Sequence, residues 1–202
     1  MELAAEFTGA AAWLNKTFYS FDYYWLQFWH ENAQAYGNFL TPFMNLISLL
    51  GKAGIFLILL SLVLCISKKT RLTGITMLVA LAIGAVITNL IIKNVVARPR
   101  PYETLAEFRT WWQAVGGPVM IDYGFPSGHT TAATASMTAL FLRTKNPLLR
   151  IIAVIFPVLM MISRVYLAVH YPSDVLTGLL VGILAGVLSY LIINRWLRGR
   201  EA

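Results

Sequence analysis

Long apolar runs separated by short polar stretches dominate the chain. A helix that crosses a bilayer needs about 20 mostly apolar residues, within a range of roughly 17–25. We interpret five of the runs as membrane-spanning helices. They are residues 53–67, 72–92, 128–142, 148–169 and 175–194. The first run extends backwards into residues 44–51 if Lys52 reaches the interface, and Pro157 is expected to kink the fourth.

The first 45 residues follow a different pattern. They carry nine aromatic residues between Trp13 and Trp29, and they lack the basic start and clean apolar stretch of a signal peptide. Aromatic side chains favour the headgroup level. We therefore predict that residues 1–45 form interfacial helices on the outer leaflet, beside a catalytic membrane domain at 46–202. A sixth spanning helix within 5–30 is the alternative, and Lys16 and Asp22 argue against it.

Composition supports the membrane interpretation. Hydrophobic residues make up 58% of the chain and charged residues only 12%, whereas soluble domains have roughly 25% charged residues. The expected fold class is therefore all-α, a polytopic membrane helix bundle. The net charge of +7 is not gathered into one stripe, so we expect no nucleic-acid partner. The single cysteine, Cys65, lies in an apolar run and cannot form an intrachain disulfide.

The basic residues indicate the orientation of the bundle. Nine of them lie in two short connections and at the C-terminus. They are Lys68, Lys69, Arg71, Arg143, Lys145, Arg150, Arg195, Arg198 and Arg200. The positive-inside rule makes these regions, and hence the C-terminus, cytoplasmic. The connections at 93–127 and 170–174 then lie on the extracytoplasmic side of a plasma or inner membrane.

Three polar stretches fall at the outer ends of the apolar runs. They are KNVVARPRP at 93–101, PSGH at 126–129 and SRVYLAVHYPSD at 163–174. Ionisable side chains at such depth are costly, and they indicate a functional site. Because all three stretches lie at one membrane depth, we expect their side chains to converge.

The cations of these stretches suit a phosphoryl group. Lys93, Arg100 and Arg164 can neutralise its oxygens, and the planar fork of arginine matches two oxygens at once. Ser127 adds a hydroxyl, and Gly128 allows close approach to the free N–H groups of a helix start.

Two histidines complete the chemistry. His129 and His170 offer an acid and a nucleophile. Asp174 follows His170 by four residues and could accept a hydrogen bond from one ring nitrogen, which would leave the other nitrogen bare for attack.

The combined pattern is similar to a known family. Lys93 with Arg100-Pro101, then PSGH, then Ser163-Arg164 with His170 and Asp174, resembles the three-part signature of the type 2 phosphatidic acid phosphatase superfamily over about residues 50–195. That superfamily includes membrane lipid phosphatases and soluble vanadium haloperoxidases. Arg98-Pro99 offers a second Arg-Pro pair, but the family spacing selects Arg100. Arg98 would then hold a headgroup or sit at the interface.

The resemblance implies a mechanism. His170 would attack phosphorus and form a phosphohistidine, Asp174 would orient His170, and His129 would protonate the leaving oxygen and then activate water. The phosphoryl oxygens would be held by Lys93, Arg100, Ser127, Gly128 and Arg164. No metal or other cofactor would be required, because the cations stabilise the charge.

The resemblance also implies the substrate class. A site at headgroup depth suits a membrane lipid phosphate or diphosphate, such as undecaprenyl diphosphate, phosphatidylglycerol phosphate or phosphatidic acid. A phosphotransferase that passes the same phosphoryl group to a hydroxyl is one alternative. A non-catalytic transporter or binder of lipid phosphate is another.

Two further features keep two interpretations each, and a third, Asn89, has one. Gly178, Gly182 and Gly186 recur every fourth residue, which favours close helix packing within the bundle or at the seam of a homodimer. Asp122 belongs to loop structure or touches substrate. Asn89 is expected to form an interhelical hydrogen bond.

Overall fold

The computed structural model describes residues 8–201, and for Arg200 and Glu201 the backbone alone. Residues 1–7 of the predicted interfacial segment and the side chain of Arg200 lie outside this description. The described elements are all helices, which confirms the all-α class. They are α1 Gly9–Ala35, α2 Thr41–Gly51, α3 Ile55–Ile66, α4 Arg71–Ala85, α5 Lys93–Val96, α6 Pro101–Thr104, α7 Ala106–Ala114, α8 Gly128–Arg143, α9 Pro147–Tyr166 and α10 Pro172–Glu201. A 3-10 turn, Lys52–Gly54, joins α2 to α3, and a π-helical segment, Val86–Ile92, joins α4 to α5.

Four stretches of the described chain are long and apolar enough to cross a membrane. They are Thr41–Ile66, Arg71–Thr104, Pro147–Tyr166 and Pro172–Gly199. These stretches correspond to four of the five predicted spans, although the first and third end one and three residues before the predicted ends. The first includes the backward extension, but it is interrupted where Ala53 and Gly54 adopt positive φ angles of 51° and 67°. The remaining predicted span is α8, whose 16 residues fall just short of the usual length.

Helix α8 lies at the centre of the bundle, packed against α4, α9 and α10. Its small residues make this close packing possible, and Ala133 and Ala135 are completely buried. The glycine stripe of α10 faces α8: a Cβ added at Gly182 would lie 2.5 Å from the Cβ of Thr134. The stripe therefore serves packing within the bundle, one of its two predicted uses.

The two ends of α8 lie at opposite ends of the bundle. The residue before it, Ser127, donates its backbone N–H to the carbonyl of Asp174, near the start of α10. At its other end, Arg143 donates to the hydroxyl of Thr76 near the start of α4, and its guanidinium lies 4.7 Å from the ring centre of Tyr190. Helix α8 thus extends from the end that carries Lys93, here called the active-site end, to the opposite end.

Helix α1 contacts the active-site end along its whole length. Thr8 donates to the carbonyl of Val96, Asp22 pairs with Arg98, and Asn38, just beyond the helix, donates to the carbonyl of Ala114. The helix exposes large aromatic side chains. They are Trp13, Phe18, Tyr19, Phe21, Tyr24, Trp25 and Phe28.

The charge of Asp22 is compensated inside the protein. An unpaired carboxylate is costly in an apolar environment, which is why Asp22 argues against a sixth span. In the structure the residue is 2% exposed and its carboxylate is paired with Arg98, so its charge faces protein.

Candidate active site

The first polar stretch owes its shape to two irregularities. The π-helical segment 86–92 ends immediately before Lys93, and Ala97 turns the backbone with a φ of 49°. Such π segments are frequent at functional sites. The chain then folds back, so that Lys93 is 6% exposed and Arg100 is completely buried.

The second stretch forms the start of α8. Ser127 is its N-cap, and the Ser127 hydroxyl oxygen accepts a hydrogen bond from the hydroxyl of Thr130 at 3.1 Å. Gly128 permits the close approach that the sequence suggested. A Cβ at Gly128 would lie 3.3 Å from Oδ1 of Asn89 and 3.7 Å from Nζ of Lys93.

The third stretch is a tight connection between α9 and α10. His170 is 1% exposed and Asp174 is completely buried. The Oδ2 atom of Asp174 accepts the backbone N–H of Tyr171 at 3.0 Å and stands 3.5 Å from Nδ1 of His170. The two residues therefore face each other, but Nδ1 of His170 forms no hydrogen bond at this distance.

The position of Arg100 indicates which ring nitrogen of His170 carries no proton. Its Nη1 lies 3.1 Å from Nε2 of His170. Arginine can only donate, so Nε2 must accept and the proton of a neutral imidazole belongs on Nδ1, the nitrogen that faces Asp174. The lone pair of Nε2 therefore points to the side where Arg100 lies.

The surroundings keep His170 neutral. Burial lowers the pKa of the His170 imidazole well below its ordinary value, and the nearby cations Arg100, Arg164 and Lys93 lower it further. A neutral imidazole is the form that can act as a nucleophile.

A cavity of about 750 Å³ collects most of the predicted residues. Lys93, Arg100, Gly128, His129 and His170 line its polar end. The walls then become apolar towards the opposite end of the bundle. The apolar part is lined by Ile58, Leu78, Leu81, Ala82 and Ala85, among others.

Three predicted residues stand behind the cavity wall. Ser127, Arg164 and Asp174 are each completely buried and are not among the residues that line the cavity. The structure thus brings five of the eight predicted residues to the cavity surface, with these three packed beneath.

Arg164 is the least satisfied of the cations. It is 0% exposed, and its Nη1 donates to the hydroxyl of Ser48. Its Nε and Nη2 atoms are buried without a hydrogen-bond partner. Buried donors are rarely left unpaired, because burial without a partner costs free energy. Two of the three guanidinium nitrogens of Arg164 are therefore unused by the protein.

Asp122 plays a larger part than loop structure alone. Its carboxylate bridges two phosphate-binding candidates: Oδ2 pairs with Lys93, and Oδ1 pairs with Arg100 at 2.6 Å. Partial burial raises the pKa of Asp122, but the hydrogen bond and charge of Lys93, helped by Arg100, lower it to about 2. No motif spacing identifies Asp122 in the sequence, since it lies in the 93–127 connection outside the three polar stretches.

Asn89 lies on the cavity wall, exposed beside Lys93, and no hydrogen bond of its side chain to another helix is recorded. The interhelical role expected from the sequence is therefore replaced by a place next to the candidate phosphate site. An amide within an apolar span was the signal for it.

Arg98 lies inside the protein. It is completely buried, so it does not sit at the interface. Its guanidinium donates to Asp22, Asp174, Ser173 and Asn15, and these bonds use four of its five N–H groups.

Among the described residues, no group of three or more His, Cys, Asp or Glu side chains is arranged to hold a metal ion.

Comparison with known proteins gives a consistent family. A family model described as the PAP2 superfamily matches residues 73–198. The undecaprenyl-diphosphatase of Sulfolobus acidocaldarius is 32% identical over 150 residues, which cover 74% of this chain and 69% of that protein. The undecaprenyl-diphosphatase BcrC of Bacillus subtilis is 34% identical over 126 residues, 61% of this chain and 57% of that protein.

Two solved structures share the fold. The Bacillus subtilis PAP2-type phosphatidylglycerolphosphate phosphatase superposes with a TM-score of 0.70 at 25% identity, and the match covers 92% of this chain and 91% of that one. LpxE of Aquifex aeolicus superposes with a TM-score of 0.62 at 27% identity, and covers 75% of this chain and 85% of that one.

Proposed function

The chain belongs to the PAP2 superfamily, and from this premise we propose that it is a lipid phosphatase that hydrolyses a lipid phosphate or diphosphate through a phosphohistidine intermediate. The observation that carries the proposal is the pairing of a neutral, buried His170 with three buried cations. Arg100 lies at its Nε2 atom, and Arg164 retains two unpartnered donors. A neutral histidine surrounded by cations is suited to attack the central atom of an anionic phosphoryl group.

In the proposed first step, Nε2 of His170 attacks phosphorus while the bond from phosphorus to the leaving oxygen breaks. The leaving oxygen takes a proton from His129. Asp174, opposite Nδ1, stabilises the positive charge that His170 acquires as its second nitrogen becomes bonded. The free nitrogen predicted from the sequence would therefore be Nε2.

In the second step, His129 takes a proton from water and the resulting hydroxide attacks the phosphohistidine. The N–P bond breaks, inorganic phosphate leaves, and His170 returns to its neutral form. His129 has regained the proton it lost, so the cycle closes.

The phosphoryl oxygens would be held by the cations and the start of α8. Lys93, Arg100 and Arg164 supply charge, while Ser127 and Gly128 supply a hydroxyl and backbone N–H groups. Because these groups neutralise the charge that develops in the transition state, we propose that the reaction needs no metal ion or other cofactor.

The cavity supports a substrate with a long apolar tail. Its lining runs from Lys93 at the start of α5 back to Leu78 on α4, which corresponds to roughly 20 Å at 1.5 Å per residue. A headgroup at the polar end and a hydrocarbon chain along the apolar part would both fit. We favour a polyprenyl diphosphate such as undecaprenyl diphosphate, in line with the names of the two relatives.

We further propose five membrane crossings, with α8 as the fifth. It extends between the same two ends of the bundle as α4 and α10, although it is short. Helix α1 would lie on the outer leaflet, because its contacts stay at the active-site end and its exposed aromatic side chains suit the headgroup region. A sixth crossing by α1 is the alternative.

The orientation would place the active-site end on the extracytoplasmic face of the plasma or inner membrane, with the C-terminus in the cytoplasm. Cysteine labelling of whole cells tests this, in a Cys65→Ser background. A membrane-impermeant maleimide should label the exposed Ile121→Cys directly but Lys145→Cys only after permeabilisation. The reverse pattern would contradict the orientation.

Every residue proposed to act on phosphate lies in one chain. The glycine stripe that could have formed a homodimer seam is occupied by α8. A homodimer would therefore need another surface, and we propose that a single copy is active in the bilayer.

The function is tested with the purified protein in detergent and a chelator. Phosphate release is measured on undecaprenyl diphosphate, phosphatidylglycerol phosphate and phosphatidic acid, for the wild type, His170→Ala and the control Glu31→Gln. We expect release by the wild type and the control, highest on the diphosphate, and none by His170→Ala. Full activity of His170→Ala would show that the nucleophile is wrongly assigned.

The same assay separates the alternatives. With a lipid or sugar hydroxyl added, a phosphotransferase would yield phosphorylated acceptor in place of free phosphate. A protein that only binds or transports the lipid would yield neither.

A further inference from the structure

A buried carboxylate from α1 reaches the active-site end. Asp22 is 2% exposed, although its helix precedes the segment that the family model matches. Its Oδ1 accepts the backbone N–H of Ser173 at 2.8 Å. Its Oδ2 accepts the hydroxyl of Ser173 at 2.7 Å and Nη2 of Arg98 at 2.8 Å. Both oxygens are thus fully engaged, as expected of a carboxylate that is held in a fixed position.

Arg98 is held from every side. Its Nε donates to Asn15 at 2.7 Å, and its Nη1 donates to Ser173 at 2.7 Å and to Asp174 at 2.6 Å. Its guanidinium also lies 3.9 Å from the ring centre of Tyr171. With four of its five N–H groups donated to protein side chains, Arg98 acts mainly on its protein partners.

The partner that matters for chemistry is Asp174. Its Oδ1 is bound to Arg98, so its Oδ2 is left to face Nδ1 of His170 at 3.5 Å. The direction of the carboxylate is therefore set by Arg98 on one side and by the backbone N–H of Tyr171 on the other.

Charge leads to the same conclusion. A carboxylate that is neutralised by a cation of its own presents less negative potential to a second partner. Here Arg98 is shared between two carboxylates, Asp22 and Asp174. Asp22 offsets part of the Arg98 charge, so Asp174 retains negative potential towards His170.

We propose that Asp22 and Arg98 are positioning residues for His170, which act through Asp174 and make α1 part of the catalytic unit. The proposal rests on the function proposed above, in which His170 is the nucleophile. The proposed role affects the rate of the chemical step, whereas other residues bind the phosphoryl group.

The opposing explanation is that the pair only anchors α1 to the bundle. Loss of an anchor would loosen the whole active-site end, so it would affect substrate binding and act independently of Asp174. A positioning role acts through Asp174 alone. A double-mutant cycle distinguishes the two, because residues that act through one another are not additive.

The test compares Asp22→Asn, which keeps size and shape but removes the charge, with the matched control Glu31→Gln. Glu31 lies on the same helix, is exposed, and accepts only from Gln27 among the hydrogen bonds recorded. Each change is made in the wild type and in Asp174→Asn, and kcat, KM and inhibition by orthovanadate are measured on a polyprenyl diphosphate.

We expect Asp22→Asn to lower kcat by roughly 10- to 100-fold, as is usual for outer-shell partners of active-site groups, while KM and the vanadate inhibition constant change by less than about twofold. In Asp174→Asn the same change should have no further effect. Glu31→Gln should behave as the wild type in both backgrounds.

An unchanged kcat in Asp22→Asn, or an equal loss in both backgrounds, overturns the proposal. If Asp22→Asn does not fold, Asn15→Ala takes its place, because it removes only the acceptor for Nε of Arg98. Its smaller loss of kcat must likewise vanish in Asp174→Asn, and an equal loss in both backgrounds overturns the proposal. Failure of the proposed function would look different: His170→Ala would keep its activity, or the wild type would release no phosphate.

Discussion

Two arginines, Arg98 and Arg164, are both completely buried at the active-site end, but their surroundings differ. Arg98 donates to four side chains, including two carboxylates. Arg164 donates to one hydroxyl, and two of its nitrogens have no partner. The difference teaches that Arg98 is paired by carboxylates of the protein itself, whereas Arg164 keeps donors that a ligand can use.

The comparison predicts the largest effect on activity for Arg164→Met. Removing donors that stabilise a transition state costs roughly 10²–10³-fold in kcat for each such group. The midpoint of thermal unfolding should stay the same or rise, because the variant no longer buries an incompletely paired charge. Phosphate release and thermal unfolding in detergent measure both. Retained activity, or a marked loss of stability, would contradict the distinction between the two arginines.

Arg98→Met should have the largest effect on stability. It leaves Asp22 and Asp174 buried without their shared cation, and breaking a buried ion pair costs about 3–5 kcal/mol. The midpoint of thermal unfolding should fall by several degrees. A variant as stable as the wild type would mean that the Asp22–Arg98–Asp174 arrangement contributes little to the fold.

Orthovanadate should stabilise the wild type through Arg164. A ligand that binds only the folded state at 100 times its Kd adds about 2.7 kcal/mol to the free energy of unfolding. The vanadate-induced rise in the unfolding midpoint should be present in the wild type and absent or much smaller in Arg164→Met. An equal rise in both proteins would show that Arg164 does not contact the anion.

Asp122 gives the smallest expected effect. In the structure its carboxylate occupies Lys93 and Arg100, so an incoming phosphoryl group must compete with it. Asp122→Asn should therefore strengthen vanadate inhibition by about 2- to 5-fold, a modest factor because the Asp122 side chain is 47% exposed and solvent screens the pairing. Weaker inhibition would instead mean that Asp122 helps to hold the anion.

The pH dependence of this contact has a definite sign. The pKa of Asp122 is lowered to about 2 in the folded protein, below its ordinary value near 4. The stabilisation it provides is therefore fully present above pH 4 and is lost as the pH falls through about 2. The difference in vanadate inhibition between Asp122→Asn and the wild type should accordingly stay constant at neutral and mildly acidic pH. A difference that disappears between pH 7 and pH 5 would contradict the lowered pKa.

The sequence predicts those parts of the candidate site whose residues lie close together in the chain. His170 and Asp174 are four residues apart, and the PSGH stretch stands directly before α8, so each group is assembled by the chain around it. Asp22 and Asp122 could not be found in this way. They reach Arg98 and Arg100 across 76 and 22 residues of sequence, and no periodicity links such partners.

The number of membrane spans likewise depends partly on the sequence and partly on the tertiary structure. Hydropathy identified the four stretches that are long enough to cross a membrane. The apolar pattern also predicts a span at 128–142, but the 16 residues of α8 are mostly small, and small residues add little hydropathy while they permit the closest packing. Only the contacts of Arg143 with Thr76 and Tyr190 reveal how far that helix extends.

The amino-acid sequence by itself determined the all-helical apolar bundle and the identities of the histidines and cations, because apolar length and motif spacing are local properties of a chain. The tertiary structure alone decided which of the buried cations have hydrogen-bond partners and which keep unpaired donors. Hydrogen bonding of buried charges depends on what packing brings beside them, and here those partners come from α1 and the 93–127 connection.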